Sequence, residues 1–285
     1  MKKIIEEYEN AFKVSYLGPE ATFTHEAALR YFSDEKAVIY KSEEDISSVF
    51  NSVENGSSLY GIVPIENALE GTVNITLDLL IESSVLVSGE IFLPIDIHLL
   101  SKSNSLEKIK KVLSHPHAIA QCRSWFVQNA PDIEFEEVSS TSLAAKYCSE
   151  NPSLGALSSP IAADVYDLNI VVEKLDTSES NSTRFFVIGK QAKEKEGDSK
   201  TSILFVLKNQ SGALYSFLKP IAEKGLNLTK IESRPSKKQA WDYVFLVDVE
   251  GHTEDSVLGE TINKLKDEVS FFRILGSYPK DNYFP

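Results

Sequence analysis

The sequence is poor in the residues that usually announce special chemistry. Its 285 residues hold two cysteines, Cys122 and Cys148, one methionine and two tryptophans. The cysteines form no CxxC pair, which argues against a disulfide framework or a thiolate metal site. Both fall on apolar helix faces and read as buried thiols. No apolar run approaches the roughly 20 residues a membrane span needs. Residues 1–10 are charged and lack the apolar stretch of a signal peptide, so a cytoplasmic location is expected. Positive charge is also scarce: 29 Lys and Arg stand against 42 Asp and Glu, a net charge of −13. A nucleic-acid partner would want a basic stripe, and none is present. An anionic ligand would instead need a local positive site, built from helix N-termini, a few Arg or Lys side chains and backbone N–H groups. His115-Pro116-His117 brings two imidazoles close, but no third ligand is suggested and no metal is expected.

What is present is a strand–helix alternation over the first 190 residues, and the length alone favours more than one domain. Val14 to Leu17 reads as a strand, followed by Gly18-Pro19 and a helix from Thr22 or Thr24. Ser42 is expected to start the next helix with Asp45 as its capping partner, and Ile46, Val49, Phe50 and Val53 repeat at helical spacing up to Gly56. Leu59 to Val63 is a buried-type strand, and a helix follows Gly71. Ile91, Leu93, Ile95, Ile97 and Leu99 alternate as one crossing strand. Further strands are expected at Lys111 to Ser114, Phe135 to Val138, Ala156 to Ser158, Ile170 to Leu175 and Arg184 to Gly189. Helices open at His115-Pro116, Ser140-Thr141 and Ser159-Pro160. This order predicts an α/β domain over 13–190 with two lobes and a cleft, approximately 13–95 with 176–190, and 96–175. Residues 191–200, QAKEKEGDSK, are charged and apolar-poor and read as a linker. Residues 201–277 then follow a βαββαβ order, the ferredoxin-like split unit.

Several strand-to-helix junctions carry a hydroxyl or amide: Thr22 and Thr24, Asn67, Ser140 and Thr141, Ser158 and Ser159. Such junctions lie at the carboxyl ends of strands, where α/β sheets bind ligands, and helix N-termini with hydroxyls suit carboxylates. Each also reads as plain capping, since Ser and Thr are the usual caps. Arg184 at the start of a strand is suited to a bidentate carboxylate contact or to a surface ion pair. Pattern alone thus ends at a two-lobed anion-binding domain with an α+β appendage.

The motifs go further. Tyr16-Leu17-Gly18-Pro19 with Thr22-Phe23-Thr24, Val63-Pro64-Ile65-Glu66-Asn67 with Glu70-Gly71, Ser114-His115-Pro116 with Ala120-Gln121-Cys122, Ser140-Thr141 with Ala144-Ala145, and Asn181-x-Thr183-Arg184-Phe185 resemble, in order, the motifs of prephenate dehydratases. Gly212-Ala213-Leu214 and Asn227 to Pro235 (NLTKIESRP) resemble that family's phenylalanine-sensing ACT motifs. The resemblance spans about residues 13 to 278. It departs at Ala68, where the family usually has Ser, at Ala21, usually Gly, and at His117, usually Gln.

The resemblance implies a periplasmic-binding-protein-like catalytic domain and an enzyme that converts prephenate to phenylpyruvate, with loss of CO2 and water and without a cofactor. It implies Thr183 as proton donor or hydrogen-bond partner at the leaving oxygen, with Arg184 polarising it or anchoring a carboxylate. Asn67, Thr22, Thr24, Ser140 and Thr141 would be further donors, Glu66 would orient a cation and His115 would hold its loop. It implies phenylalanine as a feedback inhibitor at Gly212, Ala213, Leu214, Asn227, Leu228, Glu232, Ser233, Arg234 and Pro235, at an ACT–ACT interface of a homodimer or dimer of dimers. The twelve residues before the first motif leave no room for a helical chorismate mutase domain, so one activity is expected. Two rival readings stand beside this one. The first is arogenate dehydratase, with Ala68 or Ser182 bearing on the choice. The second is a non-catalytic amino-acid-binding regulator, against which the intact Thr183-Arg184 pair argues.

Overall fold

A computed structural model of the chain describes residues 11–175, 181–235 and 243–281. The charged opening 1–10, and residues 176–180 at the start of the segment expected to return to the first lobe, lie outside the described residues. The chain opens with β1 (Phe12–Leu17), α1 (Phe23–Tyr31), β2 (Val38–Glu43), α2 (Ile46–Glu54), β3 (Tyr60–Asn67), the two-residue β4 (Gly71–Thr72), α3 (Asn74–Glu82) and β5 (Leu86–Pro94). With β11 (Ser182–Gly189) these strands make one sheet in the order β2-β1-β3-β11-β5, with β4 on β3. β1 runs parallel to β2 and β3, while β11 is antiparallel to both β3 and β5. All eight residues of β11 are buried, as expected of a central strand covered on both faces.

The second sheet holds β6 (His98–Ser101), β7 (Lys111–Ser114), β8 (Glu134–Glu137), β9 (Leu154–Ser158) and β10 (Asn169–Val172), in the order β10-β6-β9-β7-β8. Its helices are α4 (Pro116–Asn129), α5 (Thr141–Cys148) and α6 (Pro160–Tyr166). The run from Ile91 to Leu99, expected as one strand, is the end of β5 and the start of β6, in different sheets. Residues 95–97 make the crossing. Ile95 N donates to Asn181 O at 3.0 Å and Leu175 N to Ile97 O at 2.8 Å, so Leu175 and Asn181 both lie beside this crossing.

Two local readings need correction. Residues 38–43 form an edge strand that the sequence reading lacked, and Ser42 lies in it. The cap of α2 is Asp45, whose side chain accepts from Ser48 N at 2.7 Å. The charged 191–200 segment also ends early, because Ser199 and Lys200 already belong to the next strand and are buried.

That strand is β12 (Ser199–Leu207), followed by α7 (Ala213–Glu223), β13 (Leu228–Pro235), β14 (Tyr243–Glu250), α8 (Ser256–Glu268) and β15 (Val269–Pro279). The sheet order is β13-β14-β12-β15, all antiparallel. One face packs on α7 and α8 through Ile203, Phe205, Phe217, Ile221, Ile262 and Leu265, with Phe205 stacked on Phe217 at 3.7 Å. The other face, through Leu204, Leu246, Leu275 and Tyr278, shares a core with Leu77, Leu80, Val87 and Phe186 of the first lobe. The two backbones meet closely there: a Cβ on Gly276 would fall 2.0 Å from Val87 O, so only glycine fits. No described helix is long and apolar enough to cross a membrane.

Beside the crossing, Glu26 of α1 is largely buried and its Oε2 has no hydrogen-bond partner. Burial, with help from the nearby Asp96 and against the pull of Arg30, raises its pKa from 4.5 to about 7. The folded state therefore holds this proton to higher pH than the unfolded chain does. Stability from this group is full below 4.5 and falls as pH rises through about 7. Glu26→Gln should raise the melting temperature at pH 8 and leave it nearly unchanged at pH 4.5; equal shifts at both values would count against this origin.

Candidate active site

Between the lobes lies a cleft of about 520 Å³. The first lobe lines it with Leu17, Gly18, Pro19 and Thr22 of the β1–α1 loop, with Thr24 and with Glu44; the second contributes His115, Ser139, Ser140, Thr141 and Leu143. Neither Lys nor Arg is among these residues, and Glu44 is. What positive potential the cleft has comes from helix ends: Thr22 caps α1, His115 caps α4 and Ser140 caps α5. Three N-termini that converge, each with unpaired N–H groups and the positive end of a macrodipole, suit a carboxylate in an otherwise acidic protein.

The caps leave different chemistry unspent. Thr22 Oγ1 accepts from His25 N at 3.3 Å and donates to Leu17 O at 3.0 Å, so its proton is committed. The expectation that it donates to a ligand is corrected on that ground. Ser140 Oγ accepts from Leu143 N at 3.0 Å and keeps its proton free. Thr24 and Thr141 also line the cleft, Thr24 buried and Thr141 half-buried. His115 Nδ1 accepts from His117 N at 3.4 Å, and burial, then His117, lowers its pKa against the opposing pull of Glu70 and Glu137. It is therefore a neutral imidazole at pH 7, with Nε2 as the ring donor.

The β1–α1 loop is fastened to the opposite lobe. Ser142 Oγ donates to Glu20 O, Tyr166 Oη to Glu20 O at 3.3 Å and Ser159 Oγ to Ala21 O at 3.2 Å. Ala21 is fully buried in the second lobe's core and has φ of 64°, a left-handed conformation that favours glycine.

Thr183, near the start of β11, is 8% exposed and, like Asn67, is not among the residues that line the cleft. Its Oγ1 accepts from Asn67 Nδ2 at 2.9 Å. The same nitrogen donates to Asn181 Oδ1 at 3.0 Å and to Ser182 O at 3.3 Å. Asn67 Oδ1 accepts from Leu69 N and Glu70 N at 2.9 and 3.0 Å, which fixes the amide so that its N–H groups face Thr183. The Thr183 hydroxyl thus receives a hydrogen bond and keeps its own proton to give. Glu70 of the first lobe meets His117 Nδ1 of the second, tying the turn after Asn67 to the start of α4.

Arg184 is not with Thr183. Neighbours in a strand point to opposite faces, and Arg184, 4% exposed, points into the contact with the C-terminal domain. Its Nη2 pairs with Glu90 Oε2 at 2.6 Å and its Nη1 with Asp248 Oδ2 at 2.5 Å, while Tyr278 Oη lies at 3.2 Å. Lys200 Nζ meets the same Glu90 carboxylate at 2.8 and 3.0 Å. Burial alone would lower the guanidinium's pKa; the Asp248 and Glu90 charges outweigh it, and the group stays charged. The expectation that Arg184 polarises Thr183 or anchors a substrate carboxylate is corrected: its donors are spent on the other side of the sheet.

The effector residues also divide. Gly212, Ala213 and Leu214, at the N-terminus of α7, line a cavity of about 370 Å³ with Tyr215, Tyr243 and Phe245. Gly212 has φ of 78°, which a larger residue would strain. Asn227 lies elsewhere, donating to Glu250 Oε2 at 3.1 Å. Leu228 pairs with Val249, whereas Pro235 pairs with Tyr243, so Asn227 and Leu228 sit at the far end of the β13–β14 ladder from the cavity. Glu232 and Arg234 turn toward the first lobe instead of a ligand, and Ser233 and Pro235 are exposed. Lys230 pairs with Glu66 at 2.7 Å, Glu232 Oε2 accepts from Thr72 Oγ1 at 2.7 Å, and Arg234 forks onto Asp78. The two-residue period of a strand explains why alternate residues share this contact. Glu66 does meet a cation, though one from the C-terminal domain. No group of three or more His, Cys, Asp or Glu suited to a metal exists among the described residues.

The sequence and the overall fold match known proteins. A family model described as prephenate dehydratase matches residues 14–193, and one described as ACT domain matches 201–267. The chain is 49% identical over 272 residues to a bifunctional chorismate mutase/prephenate dehydratase of Aquifex aeolicus, covering 95% of this chain and 75% of that one. It is 36% identical over 282 residues to a prephenate dehydratase of Bacillus subtilis, covering 93% and 98%. The crystal structure of a prephenate dehydratase from Arthrobacter aurescens in complex with L-Phe superposes with a TM-score of 0.85 at 30% identity, covering 96% of this chain and 91% of that one.

Removing one partner of the buried interdomain cluster leaves an uncompensated charge. Asp248→Ala should therefore destabilise the protein by about 3–5 kcal/mol, measured by urea denaturation. A loss near zero would mean that the cluster relaxes or admits water.

Proposed function

The chain belongs to the prephenate dehydratase family, and on that premise we propose that its cleft holds prephenate at the converging helix ends while Thr183 protonates the departing ring oxygen. The enzyme is a carbon–oxygen lyase that converts prephenate to phenylpyruvate, CO2 and water. The carboxylate on the ring carbon leaves as CO2, and its bonding pair completes the aromatic ring. The ring C–O pair departs on oxygen, which takes one proton to become water. The residues needed are those that bind two carboxylates and give that proton at a stated place.

The observation that carries the assignment is the Asn67–Thr183 hydrogen bond. A threonine hydroxyl is a poor acid, so it must be oriented and polarised to act. Asn67 Nδ2 donates into Oγ1 and is itself fixed by two backbone N–H groups, leaving the Thr183 proton as the free end of an ordered chain. The ends of α1, α4 and α5, with Ser140, Thr141 and neutral His115, are the proposed carboxylate donors. We place the reaction in the cytoplasm. Thr183→Ala should lower kcat by about 10²- to 10⁴-fold, the usual range for a general acid, with the fold intact by circular dichroism. The assay is phenylpyruvate absorbance, run on prephenate and on arogenate. Turnover of arogenate alone would overturn the substrate assignment, and near-normal turnover by the variant would overturn the role of Thr183.

The proposed regulation is inhibition by L-phenylalanine at the cavity beside Gly212 to Leu214. That the Arthrobacter relative is in complex with L-Phe supports phenylalanine as the ligand. Asn227 and Leu228 lie at the other end of the ladder, so within one chain the two motifs cannot meet on one small molecule. A second copy of the domain would bring the Asn227 end of one chain to the Gly212 end of the other, which favours a homodimer or a dimer of dimers. Lys230, Glu232 and Arg234 then tie the sensing sheet to Glu66, Thr72 and Asp78, next to Asn67. Asn227→Ala and Gly212→Leu should each weaken phenylalanine inhibition by roughly 10-fold or more, the scale of a lost hydrogen bond to a charged group. The readout is the ratio of turnover with and without phenylalanine. Full inhibition in both variants would place the effector elsewhere.

A further inference from the structure

Asn181 immediately precedes β11 and is 6% exposed. Its carbonyl accepts from Ile95 N at 3.0 Å, which holds it in a ladder-like position. The two-residue period of extended chain therefore gives its side chain the same face as Thr183. Its Oδ1 accepts from Asn67 Nδ2 at 3.0 Å, the nitrogen that also reaches Thr183 Oγ1 at 2.9 Å. Its own Nδ2 is buried and has no hydrogen-bond partner. Turning the amide over would not cure this, because two NH2 groups would then face each other. A buried donor without an acceptor costs about 1–3 kcal/mol, so its retention calls for an explanation, of which a catalytic role is one.

Two unspent donors, the Thr183 hydroxyl and the Asn181 amide, thus flank one fixed nitrogen of Asn67. We propose that Asn181 is a further catalytic residue, whose Nδ2 donates a hydrogen bond to the oxygen that leaves the substrate ring. This role rests on the reaction proposed above. As the ring C–O bond breaks, its electron pair gathers on that oxygen. Thr183 supplies the one proton that makes water and regains it from solvent. Asn181 neither gains nor loses a proton; its N–H group stabilises charge that is present only in the transition state, so its effect falls on kcat.

The test separates this role from a structural one. If Asn181 only held Asn67 in place, Asn181→Ala would lose stability along with activity. If it serves the reaction, the variant sheds an unsatisfied donor. Its melting temperature should then equal or exceed that of the wild type, while kcat on prephenate falls about 10²-fold with little change in KM. Asn67 Nδ2 retains Ser182 O and Thr183 Oγ1 as acceptors in that variant. Asn181→Asp is the second variant, with the same shape and the acceptor kept. It should be slow at neutral pH and recover relative to wild type as pH falls, because the protonated carboxyl regains a donor. Wild-type turnover by Asn181→Ala, parallel loss of rate and melting temperature, or absence of acid recovery in Asn181→Asp overturns the role. A wild-type protein that forms no phenylpyruvate from prephenate overturns the reaction itself, and this role with it.

Discussion

A buried guanidinium has to be neutralised where it lies, and much of this structure follows from how Arg184 meets that demand. Glu90 comes from the neighbouring strand of the same sheet, while Asp248, Lys200 and Tyr278 come from the other domain. The cluster contains two cations and two carboxylates, all nearly sealed from solvent. Satisfied in this way it is tolerable; with one member missing it is expensive. Strand β11 is thus bound on one face to the C-terminal domain, and the alternation of its side chains leaves Thr183 on the other. One strand thus stands between the C-terminal sheet and the proposed reaction site.

The cleft answers a different electrostatic problem. A protein of net charge −13 has to attract a dianion, and no Lys or Arg lines the cleft. In the proposed site backbone dipoles would do this work: three helices begin there, each capped by a side chain whose oxygen or nitrogen accepts from the helix itself. This arrangement places positive potential without long flexible side chains, and neutral His115 fits it, since a donor is needed more than a charge.

Sequence reading reached the architecture because the local signals agree with the global fold. Helix caps at His115-Pro116, Ser140 and Ser159, and the alternation of β14, point the same way as the packing. It failed where the deciding partner is distant. Nothing local to Arg184 names Asp248, 64 residues away, so the Thr-Arg pair read as one functional unit when the strand splits it across two faces. Glu232 and Arg234 read as ligand residues for the same reason; their partners lie about 160 positions upstream. The unbroken alternation from Ile91 to Leu99 hid a change of sheet, because both strands happen to be in phase. Edge strand 38–43 carries three charged or hydroxyl residues in succession, Lys41, Ser42 and Glu43, which mask its apolar half. Asn181 was visible only as part of a motif. Its orphaned amide is a property of surroundings that no linear pattern encodes.

The hydrogen bonds from Ser142, Ser159 and Tyr166 to the backbone of Glu20 and Ala21 redraw the mechanical map of the molecule. By sheet membership this loop belongs with β1; by attachment it belongs to the far lobe, whose apolar interior swallows the Ala21 methyl. A rotation that kept both sheets rigid would have to tear that methyl from its seat and break all three bonds, or else bend the chain on either side of it. The two lobes are therefore joined by this loop as well as by the crossing at residues 95–97, and the first helix cap is mounted on it.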